Sequence, residues 1–181
     1  MALLNSDSRY GALAVGLHWV TLLLMGTGFL TAEMEEWIPK HSPWRDPVQD
    51  LHGSVGLLVL AIAVPRLLLH LADRRPPIAP PVPEVQDRLA VIVHGALYAL
   101  LFLLPATGYL VVGLGGDDVK FFGTPLPFPL RESKVLEDVF EEIHEFLANA
   151  AYAVIALHAG AALFHHYVQR DNTLRRMLPW G

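Results

Sequence analysis

Cysteine is absent from this chain of 181 residues, and charged residues are scarce, at 17% of the total. The first absence excludes disulfide bonds, thiolate zinc sites, cysteine-ligated iron–sulfur clusters and covalently attached c-type haem. A soluble domain usually carries about 25% charged residues, so the second absence points away from that class. The formal net charge is −5 and no basic stripe is present, so we expect no nucleic-acid partner.

What the chain does contain is apolar sequence and histidine. Hydrophobic residues make up 53% of it, and there are nine histidines. Four stretches are apolar over the roughly 20 residues that a helix needs to cross a bilayer. They cover about residues 11–31, 52–71, 89–112 and 144–168. These features predict an all-α integral membrane protein, a single four-helix bundle over residues 1–181 in contact with the lipid bilayer.

The distribution of charge predicts the orientation of the four spans. Four crossings place both termini on one side, together with the loop between the second and third spans, and that side carries eight arginines. The opposite side carries five basic residues and 13 of the 18 acidic ones. By the positive-inside rule the termini are cytoplasmic. We expect the first span to be retained, because only Arg9 precedes it and His18 interrupts its apolar run.

Ionisable residues inside a span are costly, so the histidines there indicate function. His144 and His158 are 14 residues apart in the fourth span, so both face one way at levels separated by about 21 Å. His52 matches His144 in depth, and His18 matches His158. Two bis-histidine pairs stacked across the membrane are typical of b-type haem, which needs no cysteine. The spacing therefore predicts two haems within the bundle.

Arg66 lies 14 residues after His52, at the level of the cytoplasmic-side pair. A buried arginine needs an anion, and a haem propionate is the natural candidate. The alternative is an arginine that snorkels to the cytoplasmic interface. His165 and His166 lie at a helix end and are expected to be interfacial rather than ligands. A haem-free channel or structural protein would require the paired histidines to be accidental.

With these residues in view, the chain resembles the bacterial cytochrome b561 family of four-helix dihaem membrane proteins. The resemblance covers nearly the whole length. It is carried by Arg9-Tyr10, His18-Trp19, His52-Gly53 and Val64-x-Arg66-Leu67, by the stretch from His144-Glu145 to His158-Ala159, and by His165-His166-Tyr167, Asp171-Asn172-Thr173-Leu174 and Arg176-Met177.

The resemblance implies that His18 and His158 ligate a cytoplasmic-side haem b and that His52 and His144 ligate an outer-side one. It also implies a role for His94 in hydrogen bonding to a propionate or a quinone. The branch most like this chain is that of the superoxide oxidases, which pass an electron from superoxide through two haems to ubiquinone. The expected location is then the bacterial inner membrane. The alternative is a cytochrome b subunit that links a periplasmic electron donor to the quinone pool.

An anionic donor such as superoxide needs positive potential where it approaches. The candidate residues on the outer side are Lys120, Arg131 and Lys134. Lys120 is preferred because Phe121 and Phe122 can anchor it near the membrane surface. The alternative is that all three are ordinary solvated charges.

Overall fold

The computed structural model describes residues 2–180. It contains four long helices, with a short β-hairpin between the third and the fourth. A π-helical turn and a 3₁₀ turn follow the fourth helix. In chain order the elements are α1 (Ala12–Trp37), α2 (Arg45–Ala72), α3 (Glu84–Leu114), β1 (Lys120–Phe121), β2 (Thr124–Pro125), α4 (Lys134–Phe164), the π-helix His165–Gln169 and the 3₁₀ helix Arg175–Met177. The predicted helical membrane fold is confirmed, because all four helices are long and apolar enough to cross a bilayer.

Each helix extends beyond the apolar stretch that predicts it. The two largest extensions are the first turns of α2 and α4, which begin at Arg45 and Lys134. These turns are charged, and they contain Asp46 and Glu137, whose negative charge is favourable at a helix N-terminus. Hydropathy identifies only the part of a helix that is apolar, so it cannot detect such turns.

The chain forms two compact units. Among the described residues, the first contains 2–20, 64–100 and 149–180, and the second contains 21–63 and 101–148. In the first unit, the segment before α1 is bound to the loop after α2. There the side-chain oxygen of Asn5 accepts a hydrogen bond from the backbone N–H of Gly11 (2.8 Å). The backbone N–H of Asn5 donates to the carboxylate of Asp73 (2.9 Å).

The C-terminal segment of the same unit binds the proline-containing loop before α3. Asn172 donates its backbone N–H to the Ala79 carbonyl (3.1 Å), and its side-chain oxygen accepts the Ala79 N–H (2.8 Å). Trp19 donates its indole N–H to the Met177 carbonyl at 2.8 Å. These bonds hold the last residues of the chain against the start of α1.

In the second unit, the β-hairpin is bound to the beginning of α2. Its turn residues Phe122 and Gly123 both have positive φ, of 47° and 79°, as a two-residue type I′ turn requires. Phe122 donates its backbone N–H to the hydroxyl of Ser54 at 2.8 Å, and Ser54 is fully buried. The hairpin is therefore anchored two residues from His52.

Candidate functional site

The structure brings the four predicted histidines together as two facing pairs. The ring centroids of His18 and His158 are 6.2 Å apart with an interplanar angle of 58°, in the first unit. Those of His52 and His144 are 6.3 Å apart at 79°, in the second. Each pair joins two different helices, so it depends on tertiary packing rather than on local sequence.

The spacing within each pair suits one metal ion between two imidazoles. Nitrogen ligands at about 2 Å from a metal are about 4 Å apart, which places the ring centroids about 6 Å apart. The observed distances of 6.2 and 6.3 Å agree with this value. The described residues therefore fit a haem iron, which the two imidazoles of a pair would hold from two helices.

Hydrogen bonds orient His52. Its Nδ1 lies 3.0 Å from the carbonyl oxygen of Gly28 and 3.2 Å from Oγ1 of Thr31, both on α1. A carbonyl only accepts, so Nδ1 carries the proton and the lone pair lies on Nε2. This is the tautomer that leaves Nε2 available to a metal, and it is fixed by a neighbouring helix.

His144 has the same environment, provided by α3. Its Nδ1 lies 3.0 Å from the Leu104 carbonyl oxygen and 3.0 Å from Oγ1 of Thr107. In both cases the hydroxyl stands three residues after the carbonyl, and it also donates to that carbonyl at 2.9 Å. Neither threonine could be identified from the sequence, because nothing in the local sequence shows that their helical faces meet a histidine on another helix.

Arg66 lies beside the His18–His158 pair, at the predicted level. Its Nη2 donates to Nδ1 of His18 at 3.0 Å, and its guanidinium lies 5.9 Å from the ring centre of Tyr98. Because a guanidinium only donates, Nδ1 of His18 accepts in this arrangement. Nδ1 of His18 therefore accepts a hydrogen bond, whereas Nδ1 of His52 and Nδ1 of His144 each donate one.

His94 is a third ring at this pair. Its centroid lies 5.3 Å from that of His158, and its Nδ1 lies 2.6 Å from the Ala90 carbonyl oxygen. That carbonyl fixes the proton on Nδ1, so Nε2 of the neutral ring is an acceptor.

His165 bonds Asp171 through Nδ1 at 2.5 Å. Burial alone would raise the pKa of Asp171, but the hydrogen bonds from His165 and from the Thr173 amide outweigh it and hold the pKa of this carboxyl below its usual value.

The three candidate cations for an anionic donor differ in their surroundings. Lys120 Nζ lies 3.9 Å from Asp50, and Lys134 Nζ lies 3.1 Å from Glu137 and 3.0 Å from Asp138. Arg131 is exposed and has no carboxylate partner among residues 2–180. Of the three, Arg131 has the charge that is least compensated.

Comparison with known proteins identifies the family. The sequence profile of the prokaryotic cytochrome b561 family matches residues 9–180. The chain belongs to this family. It is 37% identical to cytochrome b561 homolog 1 of Escherichia coli over 175 residues, which cover 95% of this chain and 98% of that one. It is 36% identical to the probable superoxide oxidase CybB of Yersinia pestis, over 94% and 96% of the two chains.

A more distant member is cytochrome b561 homolog 2 of Escherichia coli, at 28% identity over 98% of this chain and 95% of that one. Family membership and the four apolar helices together make the chain a multi-pass membrane cytochrome of the b type. The expected resemblance to this family is confirmed.

Proposed function

We propose that the chain binds two haems b, one between His18 and His158 and one between His52 and His144. The observation that carries this proposal is the presence of two histidine pairs with the same 6.2–6.3 Å ring spacing. Each haem, when bound, supplies a one-electron couple. The chain supplies the ligands, their orientation and the surrounding charge.

Ligand orientation is achieved differently at the two pairs. The carbonyls of Gly28 and Leu104 hold His52 and His144 with Nε2 directed away from their own hydrogen bonds. Ligation of iron by His18 through Nε2 requires Nδ1 to carry a proton. Arg66 cannot donate to Nδ1 in that state, so its guanidinium must donate to another acceptor. We propose that this acceptor is a haem propionate, in accordance with the sequence prediction.

His94 is suited to a quinone rather than to a propionate. Its free Nε2 accepts a hydrogen bond, which an ionised carboxylate cannot donate and a quinol hydroxyl can. We propose that His94 contacts ubiquinone near the His18–His158 haem. Two superoxide anions lose one electron each and become oxygen, and ubiquinone takes up the two electrons and two protons to become ubiquinol.

The proposed topology places this protein in the bacterial inner membrane with both termini in the cytoplasm. The residues of the first unit include eight arginines, whereas the second unit has five basic and 13 acidic residues. This asymmetry is the one that the positive-inside rule associates with a cytoplasmic location of the termini. Superoxide then approaches from the periplasm and meets the His52–His144 haem first.

The experiment that tests this function is stopped-flow reduction of the haems by superoxide, with protein and ubiquinone in nanodiscs. We expect haem reduction that depends on superoxide, followed by reoxidation that depends on ubiquinone. Reduction by dithionite but not by superoxide would contradict the proposed substrate. It would leave the dihaem assignment intact.

Arg131→Gln should slow the reduction by superoxide at low ionic strength, by roughly two- to tenfold, because it removes the uncompensated positive charge. The difference from wild type should shrink as salt screens the charge. Lys40→Gln is the matched control, because it removes one exposed positive charge from the same unit. Equal rates for both variants at every salt concentration would exclude steering by Arg131.

The alternative function is electron transfer from a periplasmic protein, and the acidic surface favours it. Exposed carboxylates follow one another along the beginning of α4 at Asp138, Glu141, Glu142 and Glu145. Such a surface suits a basic electron carrier better than an anion. Fast haem reduction by a basic carrier, together with slow reduction by superoxide, would establish this alternative.

Thr107→Val should keep both haems but raise the midpoint potential of the His52–His144 haem. An acceptor on Nδ1–H makes the imidazole a stronger donor and favours ferric iron, and the valine removes one of two acceptors. The Leu104 carbonyl remains, so we expect the loss of haem affinity to stay below about tenfold. A redox titration measures the shift, with Thr107→Ser as the control that restores the hydroxyl.

A further inference from the structure

Two arginines outside the long helices have buried nitrogens without a partner. Arg176, in the 3₁₀ turn, is only 8% exposed, donates from Nη1 to the Pro76 carbonyl and lies over the ring of Tyr10 at 5.6 Å. Its Nε is buried and makes no hydrogen bond within residues 2–180. The Nε of Arg9 is also buried without a partner, although its Nη2 donates to the Leu178 carbonyl at 3.4 Å. Buried donors are normally satisfied, so these two require an explanation.

Both arginines belong to the unit that contains the His18–His158 pair. Trp19 connects them to it, because its indole N–H bonds the carbonyl of Met177, the neighbour of Arg176. The ring of Trp19 in turn lies 5.6 Å from that of His18. The segment that carries Arg176 therefore contacts the residue next to a proposed haem ligand.

Among residues 2–180, no carboxylate forms an ion pair with the guanidinium of Arg176. Burial lowers the pKa of its guanidinium below the usual value, and Tyr10 and Asp171 offset this only in part. The carboxylate of Asp171 accepts hydrogen bonds from His165 at 2.5 Å and from the Thr173 amide at 2.8 Å instead of pairing with Arg176. A neutral quinone could accept a hydrogen bond from Nε, but only an anion could balance the charge.

We propose that Arg176 and Arg9 bind the propionate carboxylates of the haem held by His18 and His158. This rests on the proposed function, and it adds two arginines to the one assigned above, Arg66. A propionate supplies an acceptor for each free Nε and the negative charge that the buried guanidinium lacks. The two ends of the chain are then joined to each other through the cofactor.

The test uses Arg176→Gln and Arg9→Gln, with Arg175→Gln as the matched control. Arg175 lies in the same turn but is exposed. All three are made in a His52→Ala background, in which the proposed function leaves only the His18–His158 haem. If this background contains no haem, the proposed ligands are wrong. If it contains one haem, the arginine variants test the present proposal separately.

Removing a positive charge near the porphyrin favours ferric iron, so both test variants should lower the midpoint potential of this haem. They should also release haem about tenfold faster or more, as is typical when the partners of a bound metal group are lost. Arg175→Gln should change neither value. Potentials and release rates in Arg176→Gln and Arg9→Gln that equal those of Arg175→Gln would overturn the proposal. Arg9→Gln provides the answer if Arg176→Gln does not fold.

Infrared spectroscopy distinguishes a propionate from an anionic lipid headgroup as the bound anion. The probe is haem labelled with ¹³C in its propionate carboxyls, incorporated during expression. The labelled carboxylate bands in the reduced-minus-oxidised spectrum should shift in Arg176→Gln and Arg9→Gln, but not in Arg175→Gln. Bands that do not move, or effects that appear only in nanodiscs containing phosphatidylglycerol and not in phosphatidylcholine alone, would assign the site to lipid and overturn the proposal.

Discussion

Replacing His144 with alanine should leave the purified protein with one haem b per chain instead of two. The same result is expected for His52→Ala, because a haem held by one imidazole loses half of its protein ligands. His18→Ala and His158→Ala should each remove the other haem. The pairs follow the ring distances of 6.2 and 6.3 Å, which join His18 to His158 and His52 to His144. Lost cofactor should also lower the midpoint of thermal unfolding, because bound ligand stabilises the native state by mass action.

Double variants make the pairing decisive. His52→Ala combined with His144→Ala should still contain one haem, whereas His52→Ala combined with His18→Ala should contain none. A pyridine haemochrome assay after acid–acetone extraction measures both, since no cysteine attaches the cofactor covalently. His41→Ala is the control, because His41 lies exposed in the loop between α1 and α2. One haem in the His18/His52 double variant would show that the pairs are assigned wrongly.

The helices could be predicted from the sequence because a membrane requires about 20 apolar residues per span. All four predicted spans are present in the structure. The helix ends were harder to predict, because α2 and α4 begin seven and ten residues before the predicted positions, at Arg45 and Lys134. Those turns are polar, so hydropathy does not reveal them. The hairpin at Lys120–Pro125 could not be predicted, because a two-residue strand has too little periodicity to detect.

The histidine pairs could be anticipated because helical geometry is regular over a whole span. Fourteen residues return a side chain to nearly the same face, so depth and direction follow from position alone. The hydrogen-bond partners of His52 and His144 could not be predicted in this way. Thr31 and Thr107 reach His52 and His144 from other helices, and their contact depends on rotation and register that the sequence does not state.

The charged residues show the same limit. In the sequence, the neighbouring Phe121 and Phe122 favour Lys120 over Arg131 as the cation near the membrane surface. The fold places Lys120 3.9 Å from Asp50, which is 70 residues away along the chain. Local sequence therefore identifies a cation, but the tertiary structure decides how much of its charge remains available to a ligand.

Gly108→Val should cost the protein its His52–His144 haem although all four histidines remain. A Cβ at Gly108 would lie 3.0 Å from Cε1 and 3.4 Å from Nδ1 of His144, which is closer than side chains normally approach. The His144 ring has little freedom to move away, because its Nδ1 is hydrogen-bonded to the Leu104 carbonyl and the Thr107 hydroxyl. Both of these residues lie on α3, the helix that contains Gly108. Any displacement therefore stretches these bonds and moves Nε2. We expect an affinity loss of about 10- to 100-fold for this haem, with a smaller loss for Gly108→Ala.

Gly56→Ala is the control for this series. Its Cβ would lie 4.0 Å from that of Pro105, an ordinary contact, and it belongs to the same unit as Gly108. Both glycines are inside helices, where alanine is favoured by about 1 kcal/mol, so a gain in helix propensity is common to the two alanine variants. A difference in haem content or midpoint potential between Gly108→Ala and Gly56→Ala would therefore come from the crowding of His144, not from helix propensity. If Gly108→Val retains two haems with wild-type potentials, His144 is free to shift without loss of ligation, and the hydrogen bonds from α3 do not set its position.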